Sequence, residues 1–355
     1  MKIVIIGAGP AGLISALYLI QRGVNPLILE KNPTIKSSAC AEACDLKSLT
    51  KIPFDSKPYI RKEVKGAKLI YADGTYSYMR NHTVTLDRAN WLKGLAREII
   101  ARGSQIRLNS EVLAVGSKNI QLKNGDTIDY EILIGADGPN SLVARHIGIR
   151  HQLITASQYK LTYDTSELDY LEFYFDKQYS RGFSWIFPKD STINVGLEGD
   201  FTQLDAFLLH KGLSDCKIIG REAGIIPTSG VQRLVQYNIA LIGDAAAMTN
   251  PMSGGGLTPI IYASQILARH IHNLKSYEHE VKKHPIAAPI LAKMRHTLLE
   301  LVDKDVANLL SFLTKPHPKK MALIIRTIQY PSLLQKLKLM LNTYQAFKIL
   351  KTYGW

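Results

Sequence analysis

The feature that most constrains this chain is its opening. A β-branched run, Ile3-Val-Ile-Ile6, is broken by Gly7-x-Gly9-x-x-Gly12 and resumes as an apolar, helix-like stretch. Residues 3–20 form an uncharged run of 18 behind a lysine, which imitates a signal peptide or a spanning helix. The Gly-Ala-Gly-Pro-Ala-Gly centre argues against both, because it suits a strand, a tight turn and a fresh helix start. The pattern predicts a β-α-β unit: a strand over 2–6, a helix from about 11 to 22 with Gly23 as its stop, and a second strand over 26–30. No other stretch approaches membrane-spanning length.

In that context the three glycines have separate duties: the tight turn, close approach of a pyrophosphate, and close helix packing. The helix start turns amides and a positive dipole toward phosphate. Glu30 stands at the end of the second strand, where a carboxylate receives ribose hydroxyls. Gly7, Gly9, Ala11, Gly12 and Glu30 are thus expected to hold a dinucleotide, the plainer alternative being a glycine turn that holds nothing. The fingerprint alone does not separate NAD from FAD.

Further on, Asp73-Gly74 divides two short strand-like runs within 67–79 as a hairpin turn would, and Asp87 caps a helix running to about Arg102. The apolar strand over 130–134 leads into Gly135-Ala-Asp-Gly-Pro139, so the first sheet is re-entered late. From about 156 to 230 the pattern changes to antiparallel strands over 171–175, 184–187 and 193–196. A strand over 239–242 then runs through Gly243-Asp244 and Asn250-Pro-Met-Ser-Gly-Gly-Gly256 into a helix over about 258–272. After Pro289 the sequence is helical. The expected class is α/β: a Rossmann-like domain with an inserted antiparallel sheet and a helical C-terminal region. The boundaries are 1–60, 86–155 and 236–285 for the nucleotide domain, 61–85 and 156–235 for the substrate domain, and 286–355 for the helical region.

With 355 residues, 46% hydrophobic and 21% charged, the chain builds a sizeable core and is not disordered. Three cysteines make no disulfide framework at this length and suit a reducing compartment, so a cytoplasmic location is expected. The net charge of +14 is uneven: residues 281–355 hold 13 Lys/Arg against 3 Asp/Glu. Lys336, Lys338, Lys348 and Lys351 stand there among Leu, Ile and Phe, a composition that suits peripheral contact with anionic headgroups on the inner face of a membrane, or a merely solvated face. No recognised nucleic-acid motif accompanies the charge, so no nucleic-acid partner is expected. His270 and His272 are two apart on a helix and face apart, so no metal site is expected.

Three marks together carry a resemblance: Gly7 to Gly12, Asp137-Gly138 and Gly243-Asp244. With them the chain resembles the FAD enzymes of the aromatic-hydroxylase superfamily. Within it, the closer likeness is to the geranylgeranyl reductases, including the archaeal digeranylgeranylglycerophospholipid reductases. Cys40-Ala41-Glu42-Ala43 resembles that family's Cys-x-Glu-Gly loop, with alanine for glycine. Ser180-Arg-Gly-Phe183-Ser-Trp185-Ile-Phe187-Pro188 resembles its Pro-x-x-Tyr-x-Trp-x-Phe-Pro, with Ser180 and Phe183 for the proline and tyrosine. The likeness covers about residues 1–275.

The resemblance implies FAD as cofactor, with Gly12 at the pyrophosphate and Glu30 at the ribose. It also places Cys40, Ala41 and Ala43 beside the flavin, Arg88 after the hairpin, Val112 at the adenine, and Asp244, Gly256 and Leu257 at ribitol and isoalloxazine. For Arg88 the alternative is an ordinary surface arginine. Phe183, Trp185 and Phe187 are expected to line the cavity for an isoprenoid chain, or to be plain sheet core. The implied activity is saturation of isolated double bonds of geranylgeranyl chains in ether lipids by hydride from reduced flavin N5, with electrons from NADPH or a ferredoxin. No residue is named as catalytic beyond Cys40, a candidate near the flavin. Cys40 and Cys44 stand four apart as in flavin disulfide reductases, yet no second glycine fingerprint follows a strand, which favours packed thiols. The alternatives are an FAD monooxygenase of the same superfamily and a non-catalytic flavin-binding, membrane-associated protein.

Overall fold

The computed structural model describes residues 1–314 and 337–353. Its first layer is a six-stranded sheet in the order Val235–Gln236, Ile239–Leu241, Ile132–Gly135, Ile3–Ile6, Leu27–Leu29, Gln105–Arg107. All its pairings are parallel except that of the edge strand Val235–Gln236. Ile3-Val-Ile-Ile6 is buried throughout because helices cover both faces of such a sheet, so an unbroken apolar run serves better than alternation. Pro10–Ile20 packs between Arg88–Ala101 and Leu257–Arg269, so the helix that opens at the glycines also touches the helix that follows the late glycine loop. The buried hydroxyls of Ser15 and Ser264 meet there at 3.0 Å.

The second sheet has eight strands in the order Ile218–Pro227, Leu153–Thr162, Thr192–Glu198, Ser184–Pro188, Leu171–Phe175, Ile60–Tyr71, Tyr76–Leu86, Ala43–Asp45. The hairpin turns at Asp73-Gly74 as expected, but its arms are 12 and 11 residues long, well beyond the short runs over 67–79. One pairing departs from the antiparallel expectation. Leu171–Phe175 lies parallel to Ala67–Tyr71, which the long connection between them permits. A helix over Phe201–His210, closed by a capping box between Asp200 and Gln203, was not anticipated. A three-stranded sheet, Val112–Val115, Asn119–Leu122 and Thr127–Asp129, completes the β structure among the described residues.

The helix Asp303–Thr314 packs on the strands Ile60–Tyr71, Tyr76–Leu86 and Leu171–Phe175 of the large sheet, and the helices Pro289–Glu300 and Leu337–Tyr353 pack beside it. Leu301, Val306, Leu309, Leu310 and Phe347 share a core with Val64, Leu69, Phe173, Phe183, Trp185 and Phe187. Lys348 and Lys351 are exposed on the outer side of the last helix, whose Ala346, Phe347 and Leu350 are buried. Lys336 lies outside the described residues, and Lys338 is placed only as a member of that helix. Among the described residues, no helix is long and apolar enough to cross a membrane.

Candidate functional site

One cavity of about 740 Å³ runs from the glycine turn, past the Cys40 loop, to the aromatic face of the large sheet. At its first end Gly7 donates its amide to the Leu29 carbonyl at 2.8 Å, tying the turn to the second strand. A Cβ on Gly12 would stand 2.0 Å from the Gly7 carbonyl oxygen, so this position must be glycine for the turn to close. Gly9 is different: a Cβ there would meet nothing within 4 Å, and the residue opens onto the cavity. Gly12 is behind the turn, while Gly7, Gly9 and Ala11 are on the lining. The Glu30 carboxylate, also on the lining, accepts the Ala8 amide at 2.9 Å and the Asn32 amide and side chain at 2.9 and 2.6 Å. Its orientation is fixed by the backbone it serves.

The two later superfamily marks differ in role. Asp137 accepts from the Ser141 hydroxyl at 2.6 Å and from the amides of Leu142 and Val143 at 2.7 and 3.2 Å, so it braces the start of the helix Leu142–His146, whose N-cap is Ser141. Asp244 sits in the turn Gly243–Ala246 and faces the cavity, with the Thr249 hydroxyl at 2.8 Å as its hydrogen-bond donor. Burial pushes its carboxyl above the ordinary range, against the pull of Thr249 and of the Arg88 and His151 charges. Gly256 and Leu257 open the helix Leu257–Arg269 on the same lining, with Val112 at the far end.

Between these ends lies the Cys40–Ala43 loop. The Arg88 guanidinium donates through Nη1 to Cys40 Sγ at 2.9 Å, and its Nε is buried with no protein partner. Arg88 is therefore a cavity residue flanking Cys40 and Asp244, not a surface cation. Cys44 is buried, and burial pushes its thiol up, which leaves it a packed and inert side chain. Phe183, Trp185 and Phe187 line the cavity with Leu171 and Phe173, and they also belong to the core beneath the C-terminal helices. They are thus at once cavity lining and sheet core. Gly196 makes room for the indole, since a Cβ there would stand 2.3 Å from Trp185 Cζ2. His270 is occupied by Glu280 at 2.6 Å.

These residues fit an FAD. The open space at Gly9 suits a pyrophosphate, the orphaned Arg88 Nε offers a donor, and Asp244 offers an acceptor where the second glycine loop opens a helix. The sequence reading passed over several cavity-side groups. Glu42 lies buried among Lys160, Lys189 and Asn194, Gln158 bridges Trp185 to Cys40, and Glu198 is paired with Arg295. Glu42 was visible inside its motif. The partners come from distant strands, and no local pattern reveals them.

Comparisons with known proteins agree with the sequence reading. A family profile described as pyridine nucleotide-disulphide oxidoreductase matches residues 1–149, the segment that carries the glycine turn. A digeranylgeranylglycerophospholipid reductase of Methanothrix thermoacetophila is 28% identical over 295 residues, covering 74% of this chain and 75% of that protein. The protein of the same name from Methanococcus vannielii is 28% identical over 312 residues, covering 78% and 79%. Among solved structures, a geranylgeranyl bacteriochlorophyll reductase-like protein of Thermoplasma acidophilum superposes with a TM-score of 0.80 at 23% identity, over 96% of this chain and 98% of that one. The fold class and the resemblance read from the motifs are both borne out.

Proposed function

We propose that this chain, a relative of the digeranylgeranylglycerophospholipid reductases, is an FAD-dependent oxidoreductase that saturates isolated double bonds of geranylgeranyl chains in isoprenoid lipids. The observation that carries the reading is the continuity of the cavity. A dinucleotide turn at one end and the wall of Leu171, Phe173, Phe183, Trp185 and Phe187 at the other open into the same space. A polyprenyl chain presents no polar group along its length, so burial against such a wall is what a protein can offer it.

Reduced FAD, when bound, supplies the hydride from N5. The chain's own part is to bind, orient and keep water out. Gly7, Gly9 and the helix start at Pro10 would receive the pyrophosphate, and Glu30 would accept ribose hydroxyls. Asp244 would accept from the ribitol, and Gly256 and Leu257 would offer their amides to the flavin. Saturation also takes a proton, which flavin or water would supply, and an isolated alkene has no conjugated group to take up developing charge, so positioning must supply much of the rate. The three-part division of the chain and the site residues named belong to this same proposal, as does electron supply by NADPH or a ferredoxin. Membrane contact, with Lys348 and Lys351 outward and the apolar face of their helix already buried, would be electrostatic and salt-sensitive.

The test is anaerobic incubation of dithionite-reduced holoenzyme with a geranylgeranyl ether phospholipid, followed by mass analysis of the lipid. Stepwise gain of hydrogen pairs is expected. Incorporation of oxygen when air is admitted, or flavin reoxidation that leaves the lipid untouched, overturns the reading in favour of a monooxygenase or a binding role.

A further inference from the structure

The Cys40–Ala43 loop and the Trp-x-Phe-Pro segment are far apart in sequence, yet buried side chains weld them into one unit. Three consecutive residues of the loop are each gripped by the large sheet. Gln158 Nε2 donates to the Cys40 carbonyl at 3.0 Å. Asn194 Nδ2 donates to the Ala41 carbonyl at 3.0 Å. The Glu42 carboxylate, 3% exposed, meets Lys189 Nζ at 2.5 Å and Lys160 Nζ at 3.3 Å, with Asn194 Nδ2 also at 3.3 Å. Glu42 takes φ +67°, a conformation unfavourable for this residue, and the surrounding contacts hold it there.

The grip extends to the aromatic wall. Trp185 Nε1 donates to Gln158 Oε1 at 3.1 Å, so one amide group holds the indole with its oxygen and the Cys40 carbonyl with its nitrogen. Gln158 Nε2 also reaches Glu222 at 3.2 Å, and Glu222 in turn pairs with Lys160 at 2.8 Å, closing the network. Lys189 directly follows the Trp-x-Phe-Pro segment, and the Pro188 carbonyl accepts from the Thr85 hydroxyl at 2.9 Å. Together these links tie the Cys40 loop to the large sheet, to Trp185 through Gln158 and to the residue after Pro188 through the Glu42–Lys189 pair.

We propose that Gln158, Asn194 and the Glu42–Lys160–Lys189 cluster are positioning residues that set the distance between the flavin-side loop and the lipid-side wall, with Gln158 as the joint. None of them performs chemistry. They act through Cys40 and Trp185, and they define the gap in which an alkene must lie. Catalysis that rests on alignment is sensitive here, because a misplacement of about 1 Å can cost on the order of a hundredfold in rate. The catalytic half of this proposal rests on the reductase reading above; the structural half does not.

The experiment compares wild-type holoenzyme with Gln158→Leu, which keeps the bulk and removes all three side-chain hydrogen bonds, and with Trp185→Phe, which removes the indole donor together with part of the ring. Four quantities are read: FAD affinity, the visible circular dichroism of the bound flavin, turnover, and the hydrogen count of the lipid product. Retained FAD, altered flavin dichroism, turnover lowered at least tenfold and a product mixture rich in partly reduced chains are expected for Gln158→Leu, with the same direction and smaller size for Trp185→Phe. Wild-type dichroism and product ratios in both variants overturn the proposal. If Gln158→Leu fails to fold, Trp185→Phe decides alone. If no protein reduces lipid but the dichroism still shifts, the reductase reading falls and the positioning role stands.

Discussion

At the scale of single residues, the glycine turn separates two demands that a sequence pattern merges. Gly12 is needed by the fold, since a Cβ would strike the Gly7 carbonyl oxygen at 2.0 Å, whereas Gly9 has open space before it and is free of any such clash. Gly12→Ala is therefore expected to lower the thermal midpoint of the apoprotein and to abolish FAD binding. Gly9→Ala is expected to leave the apo midpoint unchanged and weaken FAD binding alone; calorimetry with FAD titration distinguishes them, and equal damage to both apoproteins refutes the assignment. The same separation shows how far the residues could be read. Spacing named the glycines, Glu30 and Asp244, because each belongs to a local motif, but it could not tell that Asp137 braces the start of a helix or that Arg88 points inward. A third residue gives a pH signature. Burial would raise the Asp87 carboxyl, but the Arg61 guanidinium and the Asn90 amide outweigh it and hold it at about 2, below its ordinary 3.8. A lowered carboxylate favours the folded state above the unfolded value and loses that contribution as pH falls through the folded one. The stability gap between wild type and Asp87→Ala, measured by urea denaturation, is thus expected to narrow as pH falls from about 4 to about 2.

At the scale of elements, legibility followed locality. The hairpin turn at Asp73-Gly74 and the helix capped by Asp87 were readable because turn and cap signals sit within a few residues of what they control. The parallel pairing of Leu171–Phe175 with Ala67–Tyr71 was not, because strand partners about a hundred residues apart leave no mark on local periodicity. The helix Phe201–His210 is a case where the signal existed. Asp200 accepts the Gln203 amide at 3.0 Å and Gln203 returns a bond to the Asp200 amide at 3.1 Å, a capping box written in four residues but embedded among strands. Its apolar side, Leu204, Phe207 and Leu208, packs under Leu161, Val195 and Leu197, on a core separate from the one that the aromatic wall shares. Asp200→Ala is expected to cost about 1 kcal/mol in urea denaturation while FAD affinity and turnover stay at wild-type values. A loss of FAD would show that this helix supports the cavity after all.

At the scale of the whole molecule, the C-terminal helices and the cavity share side chains. The helices' apolar residues belong to one core with Phe173, Phe183, Trp185 and Phe187, so the aromatic lining is packed against those helices. Composition announced this region as basic, which drew attention outward to its lysines. Its inward contacts include, beside the apolar core, one buried arginine. Arg295 donates to both Glu198 oxygens, at 2.9 and 2.6 Å, and to the Pro251 carbonyl at 3.0 Å, joining the helix Pro289–Glu300 to the end of a sheet strand and to the second glycine loop. Lys177 adds a bond to the Leu299 carbonyl at the end of the same helix. Removing one partner of a buried, bidentate pair strands the other charge, and that is where most of the cost arises. Arg295→Met is expected to destabilise the holoprotein by about 3–5 kcal/mol and to weaken FAD binding through the loosened Pro251 loop. Adding Glu198→Gln removes the stranded carboxylate and is expected to recover much of the stability without restoring FAD affinity, because the Pro251 carbonyl still lacks its donor. Urea denaturation and FAD titration of the two single variants and the double variant check this. Additive losses in the double variant would mean that Arg295 and Glu198 act independently and that their pairing does not hold the C-terminal helices to the site.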